Sequence, residues 1–144
     1  TRRLLPAMIA KKRGASLNVS SSAGFLPLAG FAVYAATKAY VTSFSEGLRA
    51  ELRGTGVIVT ALCPGPVYTE FSEVAQRPNV QKPKATPGIS HVSAQEVVRA
   101  GLAAVEKDRA IAIPGVFMKL GMALVRMTPM PLLRVASRFS AKPI

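Results

Sequence analysis

The segment VIVTAL, residues 57–62, limits the choice of fold more than any other part of the sequence. It is short, rich in β-branched residues and almost entirely apolar, which is typical of a strand whose two faces are both covered. Such strands belong to parallel sheets, and the connections between parallel strands are usually helices. The segment therefore predicts an α/β fold with helices on the faces of the sheet.

Helical patterns alternate with two further short apolar segments. Residues 15–20 (ASLNVS) and 110–113 (AIAI) are predicted strands. The spacing of apolar residues and the capping residues predict helices over residues 1–13, 32–53, 93–107, about 115–127 and about 132–140. This order of elements predicts an open, mostly parallel sheet of three strands with about five helices.

The helix predicted for residues 32–53 carries one stripe of apolar side chains at intervals of four residues. The stripe consists of Ala36, Tyr40, Phe44, Leu48 and Leu52. It either covers the sheet of its own chain or packs against a second copy, and periodicity alone does not distinguish the two.

The composition agrees with a packed globular chain. Of the 144 residues, 49% are hydrophobic and 18% are charged, which argues against intrinsic disorder. Lys119 and Arg126 interrupt the most apolar segment, so no helix that spans a membrane is predicted. One cysteine and one histidine exclude an intrachain disulfide and a His/Cys metal cluster, and no metal site is predicted. We expect Cys63 to be an inert buried thiol and His91 to be a solvated loop residue.

The net charge of +12 is divided between two ends of the chain, because residues 1–45 and 109–144 contain bases but no acids. This division does not resemble a single recognition element, and no base-reading motif is present, so nucleic acid is not a predicted partner. Bases that alternate with apolar residues, as in residues 115–142, are typical of helices at an anionic membrane surface.

Ser21, Tyr34 and Lys38 form the constellation that carries chemistry. Tyr34 and Lys38 lie four residues apart near the start of a helix and therefore share a face. An ammonium group close to a phenol stabilises the phenolate, which favours proton exchange near neutral pH. A hydroxyl at the end of the preceding strand, such as that of Ser21, can hydrogen-bond a carbonyl oxygen in the same cleft. Together these groups suit proton transfer to an oxygen on a carbon that exchanges hydride.

Three ordered motifs resemble the short-chain dehydrogenase/reductase family. They are NVSSSAGF at residues 18–25, YAATK at residues 34–38 and CPGPVYTEF at residues 63–71. In that family the catalytic serine ends a strand thirteen residues before the tyrosine, and the same interval leads from Tyr34 back to Ser21. The resemblance extends over nearly the whole chain.

The resemblance implies a doubly wound Rossmann-type fold in which NAD or NADP lies across the carboxyl ends of the strands. It implies an oxidoreductase that interconverts an alcohol and a carbonyl. Tyr34 would be the acid/base, Ser21 would orient the substrate oxygen, and Lys38 would hold the nicotinamide ribose. The cofactor-binding residues implied by the motifs are Tyr34, Lys38, Pro64, Gly65, Val67 and Thr69.

The sequence departs from the family pattern because no G-x-x-x-G-x-G turn is present. In the family, this turn lets backbone N–H groups reach the cofactor pyrophosphate. We therefore expect residues 1–114 to be the C-terminal half of a Rossmann-type domain, truncated and inactive alone. We expect residues 115–144 to be a basic, apolar helical extension. The residue that selects NAD or NADP also lies outside the sequence.

The expected partners are a small alcohol or carbonyl substrate, lipophilic in character, and further copies of the chain. Phe25, Phe31 and Phe71 are candidates for the lining of an apolar pocket, and residues 64–92 form a long loop that would set specificity. The cytoplasm is the expected compartment, with peripheral membrane contact through the C-terminal helices. The alternative function is a basic amphipathic module that binds a membrane surface and has no catalytic activity.

Overall fold

A three-stranded parallel sheet forms the centre of the protein. The computed structural model describes residues 3–67 and 92–140, with side chains up to Val135. Its strands are β1 (Gly14–Val19), β2 (Val57–Leu62) and β3 (Ile111–Ala112). Their order is β1-β2-β3, both pairings are parallel, and Gly14 pairs with Val57. The predicted α/β fold with a parallel sheet is confirmed, and VIVTAL is its middle strand.

Within residues 3–67 and 92–140, five α-helices and one 3₁₀ turn surround the sheet. They are α1 (Leu5–Ala10), a 3₁₀ turn (Ser22–Phe25), α2 (Ala32–Glu51), α3 (Ala94–Glu106), α4 (Val116–Met127) and α5 (Met130–Ser140). The helix α1 is shorter than expected because Pro6 lies in its first turn and Lys12 adopts a positive φ of 49° just before β1. The helix α5 begins two residues earlier than expected, since Pro131 is compatible with the first turn of a helix.

Two apolar clusters cover the two faces of the sheet. On one face Leu48 and Leu52 of α2 pack against Val57 and Val59, with Leu5 and Met8 of α1 at the edge. The other face is covered by α3, in a cluster of Leu62, Ala104 and Ala112 with Leu17 and Val97 beside it. Helices on both faces are the feature that the apolar character of β2 predicts.

The stripe of four-residue intervals on α2, for which the sequence left two positions open, is buried against the sheet only in part. Tyr40 is 67% exposed and Phe44 is 40% exposed, whereas Leu48 and Leu52 lie in the core. A helix has 3.6 residues per turn, so each step of four residues rotates the stripe by about 40°. The stripe therefore begins on the outer side of α2 and reaches the sheet only at Leu48. The side chains buried earlier in the helix are small or polar: Ala35, Thr42 and Ser45.

A capping box begins α3, at the start of the helix that the sequence predicts for residues 93–107. The Ser93 hydroxyl accepts a hydrogen bond from the Glu96 N–H at 3.2 Å, and the Glu96 carboxylate accepts one from the Ser93 N–H at 2.9 Å. The Ser93 hydroxyl also donates to the Glu96 carboxylate at 2.9 Å. The two hydrogen bonds that the charged carboxylate accepts, from the Ser93 N–H and the Ser93 hydroxyl, lower the pKa of Glu96. The box fixes the point at which the chain turns from the end of the β2–α3 connection into the helix.

The helix α4 packs beside the carboxyl ends of β1 and β2. Met118 lies against Gly65, and the Arg126 guanidinium lies 5.6 Å from the centre of the Phe25 ring. Arg126 also lies 3.9 Å from the Glu46 carboxylate of α2. Within residues 3–67 and 92–140, no helix has both the length and the apolar character needed to cross a membrane.

Candidate active site

Ser21 lies two residues after the end of β1 and is the N-cap of the 3₁₀ turn. Its hydroxyl accepts a hydrogen bond from the Ala23 N–H at 3.2 Å and lies 3.5 Å from the Pro64 carbonyl oxygen. The neighbouring Ser22 N–H donates to the same carbonyl at 2.9 Å, so the chain stays paired beyond the ends of β1 and β2. This pairing holds Ser21 next to Pro64, as expected if both belong to one site.

Tyr34 and Lys38 lie together in the first two turns of α2. The Lys38 Nζ atom is 5.7 Å from the centre of the Tyr34 ring. The same ammonium donates a hydrogen bond to the Val19 carbonyl oxygen, the last residue of β1, at 3.1 Å. The Lys38 side chain therefore reaches from α2 to the end of the strand that precedes Ser21. This arrangement places a positive charge beside a phenol at the carboxyl edge of the sheet.

Of the remaining residues of the expected cofactor set, three are described by the structure and one is not. Pro64 contacts Ser21 and Ser22 as described, and Gly65 lies under Met118 of α4, where a Cβ atom would collide with the Met118 side chain. Val67 forms an isolated parallel bridge with Val92. Thr69 lies outside the described residues, as do Phe71, His91 and most of the loop expected over residues 64–92.

A buried pair of hydroxyl groups holds the backbone of Lys38, and the sequence did not predict it. The Ser20 hydroxyl donates to the Lys38 carbonyl oxygen at 2.7 Å. The Thr42 hydroxyl lies 2.7 Å from the Ser20 Oγ atom and 3.1 Å from the same carbonyl oxygen. We call these two residues the hydroxyl clamp. It fixes the turn of α2 that carries Lys38 against the end of β1. A signal was present in the position of Thr42, four residues after Lys38, where a helical Thr can bond back to the i−4 carbonyl.

Cys63 lies behind this clamp as an inaccessible thiol. Its Sγ atom is 3.7 Å from the Thr42 Oγ1 atom, and the side chain is fully buried. Burial is the main cause of the raised pKa of this thiol. A neutral buried thiol is a poor nucleophile, which agrees with the expectation of an inert core cysteine.

An open apolar pocket of about 480 Å³ lies beside the site, between the 3₁₀ turn and the start of α2. Phe25 lines it, as the sequence allowed, whereas Phe31 is half exposed and does not. The lining residues are Gly24, Phe25, Leu26, Pro27, Leu28, Ala29, Ala32, Ala35, Ala36, Ala39 and Met130. Ser21, Tyr34 and Lys38 are not among them, so the pocket neighbours the polar groups without containing them.

The chain is similar in sequence to known dehydrogenases and reductases. The family model described as short chain dehydrogenase matches residues 1–79. An uncharacterized oxidoreductase of Myxococcus xanthus is 52% identical over 69 residues, which are 48% of this chain and 27% of that protein. An NADP-dependent 3-hydroxy acid dehydrogenase of Salmonella typhi is 52% identical over 75 residues, covering 51% of this chain and 30% of its own length. A very-long-chain 3-oxoacyl-CoA reductase of mouse is 39% identical over 85 residues, or 59% of this chain and 27% of the reductase.

Solved structures resemble a larger part of the chain. A short-chain dehydrogenase from Burkholderia cenocepacia in complex with NADP has a TM-score of 0.73 and 27% identity, over 99% of this chain and 53% of its own. A short-chain dehydrogenase from Sphingobium yanoikuyae in complex with NADPH has a TM-score of 0.66 and 26% identity, over 87% of this chain and 50% of its own. The chain thus spans about half the length of these structures and less than a third of the curated relatives it matches.

Proposed function

This chain belongs to the short-chain dehydrogenase family, and we propose that Ser21, Tyr34 and Lys38 make it the catalytic part of an oxidoreductase that interconverts an alcohol and a carbonyl. One observation carries the proposal: the Lys38 ammonium lies beside the Tyr34 ring and is hydrogen-bonded to the last residue of β1. Ser21 follows at the same strand end, next to Pro64. Residues of the first two motifs and Pro64 of the third therefore meet at one edge of the sheet.

Each of the three side chains has a separate task in this proposal. The Tyr34 phenol gives a proton to the substrate oxygen during reduction and takes it back during oxidation. The Ser21 hydroxyl donates a hydrogen bond to the same oxygen and so orients it. Lys38 supplies the fixed positive charge beside the phenol, because its hydrogen bond to the Val19 carbonyl restrains the ammonium.

The residues present fit the nicotinamide end of NAD or NADP. When bound, the cofactor supplies or accepts the hydride. Lys38 would hold the nicotinamide ribose, and Pro64, Gly65, Val67 and Thr69 would hold the nicotinamide itself. The fit rests on the Pro64–Gly65 turn, which is bonded to the backbone beside Ser21. We assign no residues to the pyrophosphate, since the sequence has no G-x-x-x-G-x-G turn. Two structural relatives are complexes with NADP or NADPH, so NADP is the cofactor to test first.

The proposed substrate is a lipophilic alcohol or ketone. The pocket beside the site is lined almost entirely by apolar residues, and such a lining binds hydrocarbon in preference to charged groups. The names of two relatives, a 3-hydroxy acid dehydrogenase and a 3-oxoacyl-CoA reductase, also describe chemistry at a secondary alcohol or ketone. We propose the cytoplasm as the compartment.

The test compares two tyrosines of the same helix. In a polypeptide that joins this chain to a Gly-rich dinucleotide-binding segment, we expect Tyr34→Phe to lower kcat by about 100- to 10,000-fold. The Kd for NADPH, measured by fluorescence titration, should change little. Tyr40→Phe is the matched control, because Tyr40 is 67% exposed on α2 and should keep full activity. Unchanged kcat for Tyr34→Phe would overturn the assignment.

The alternative of a membrane-surface module without catalysis accounts for the charge of the C-terminal helices. It does not account for the position of Lys38 between Tyr34 and the end of β1, or for the placement of Ser21 against Pro64. We therefore propose catalysis as the primary function. We also propose that the protein associates with copies of itself, since Tyr40 and Phe44 stack with ring centres 6.0 Å apart on the exposed side of α2.

A further inference from the structure

One side of α4 exposes a row of large apolar side chains. Phe117, Leu120, Leu124 and Met127 are 70%, 60%, 67% and 82% exposed. Their intervals of three, four and three residues place them on one side of the helix. Large side chains that are exposed singly are common on protein surfaces, whereas a continuous row marks a site of interaction.

The opposite side of α4 is fixed to the rest of the protein. Met122 is buried, and Met118 packs against Gly65. Arg126 lies over the Phe25 ring and near the Glu46 carboxylate. The helix cannot turn its exposed row inward without losing these contacts, so the row belongs to the folded surface.

Exposed apolar side chains continue from α4 onto α5. Leu132 is 60% exposed and Val135 is 50% exposed, and only Thr128 and Pro129 separate α5 from α4. We call six of the eight exposed large apolar side chains of the two helices the α4–α5 surface. Its six members are Phe117, Leu120, Leu124, Met127, Leu132 and Val135.

The segment that carries the α4–α5 surface has charges of one sign in its sequence. Its Lys119 and Arg134 are exposed, whereas Arg126 lies against Phe25 and Glu46. Residues 109–144 contain six bases and no acid: Arg109, Lys119, Arg126, Arg134, Arg138 and Lys142. A second copy of the chain is a poor occupant, because two such surfaces would bring like charges together. An anionic bilayer offers both an apolar interior for the side chains and negative headgroups for the bases.

We propose that the α4–α5 surface docks onto an anionic lipid bilayer, with the apolar row inserted at the headgroup boundary and the exposed bases Lys119 and Arg134 near the headgroups. The proposal goes beyond the oxidoreductase function and does not rest on it, since none of the six apolar residues belongs to the Ser21–Tyr34–Lys38 site. The Phe25–Arg126 and Gly65–Met118 contacts link the two regions.

The test is vesicle flotation of the 144-residue chain. One set of vesicles is pure phosphatidylcholine, and the other contains about one third phosphatidylglycerol, a fraction chosen to give a strongly negative surface. The variant Leu120→Gln/Leu124→Gln removes the centre of the apolar row. The matched control is Val98→Gln/Leu102→Gln, because these side chains are 56% and 54% exposed on α3. Circular dichroism checks that both variants keep the fold.

We expect binding to the anionic vesicles that weakens with added salt, and much weaker binding to phosphatidylcholine. Leu120→Gln/Leu124→Gln should reduce binding to anionic vesicles by about tenfold or more, and the control should not. Absence of binding to anionic vesicles, or equal loss in both variants, would overturn the proposal. It would also fail if Leu120→Gln/Leu124→Gln converted a dimer to a monomer in sedimentation without vesicles, since a second copy would then cover the surface.

Discussion

Replacement of Gly24 by alanine tests the closest backbone contact near the site. A Cβ atom on Gly24 would lie 2.8 Å from the Lys38 carbonyl carbon and 2.8 Å from the Ala39 nitrogen, whereas ordinary contacts begin at 3.4 Å. The 3₁₀ turn or α2 must therefore move by about half an ångström. The helix resists this movement, because the hydroxyl clamp holds the Lys38 carbonyl oxygen.

The expected loss in the free energy of unfolding depends on the kind of atoms that collide. Overpacking in a packed region costs about 1–3 kcal/mol, and backbone atoms cannot swing aside as the end of a long side chain can. We therefore expect Gly24→Ala to lower the free energy of unfolding by about 2 kcal/mol. In a chain of this size, that change would lower Tm by roughly 5–10 °C.

Gly47→Ala is the matched control, with the same chemical change and the opposite expected sign. Gly47 lies inside α2, and a Cβ atom there would have no neighbour within 4 Å. Alanine is favoured over glycine in a helix by about 1 kcal/mol, so this variant should be more stable than the wild type. Urea unfolding of the three proteins, with unchanged m values, measures both effects. Equal or higher stability of Gly24→Ala than of the wild type would refute the close contact of the turn with α2.

Three further predictions concern the cap of α3, the buried thiol and self-association. Because its hydrogen bonds with Ser93 lower the pKa of Glu96, Glu96 stabilises the fold above its ordinary pKa of 4.5, and this stabilisation is lost as the pH falls through the lowered value. The stability difference between the wild type and Glu96→Gln in urea should therefore shrink from neutral pH to about pH 3, and a constant difference would contradict this. Ellman's reagent should label Cys63 only after denaturation, because burial raises the pKa of the thiol; rapid labelling of the native protein would show that the site is accessible. Sedimentation equilibrium should give a dimer or larger species, since Tyr40 and Phe44 are exposed, and a single 15.2 kDa species would disprove it.

The elements that depend on short-range patterns could be predicted from the sequence. The middle strand is evident in VIVTAL, because a run of β-branched apolar residues needs cover on both faces. The start of α3 is evident in Ser93 and Glu96, since the capping box involves residues only three apart. The proximity of Tyr34 and Lys38 follows from their four-residue spacing on α2.

The features that depend on tertiary contact could not be predicted. Ser20 and Thr42 are 22 residues apart, and their pairing needs the packing of α2 on β1. Periodicity also left open which part of the α2 stripe lies in the interior. Thr42 and Ser45 are buried because their hydroxyls bond to the helix backbone, which removes the cost of burying them. Tyr40, which hydropathy favours, lies outside.

The hydroxyl clamp fixes the backbone of Lys38 without using the side chain that carries its chemistry. Ser20 and Thr42 bind the backbone carbonyl of residue 38, an atom that every amino acid has. The side chain at this position can therefore be exchanged for methionine or arginine while the clamp keeps its partner. A loss of turnover in such variants would report the missing ammonium and not a displaced helix. The same backbone bonds would let a redesigned enzyme carry a different reactive group at position 38 with the geometry of α2 preserved.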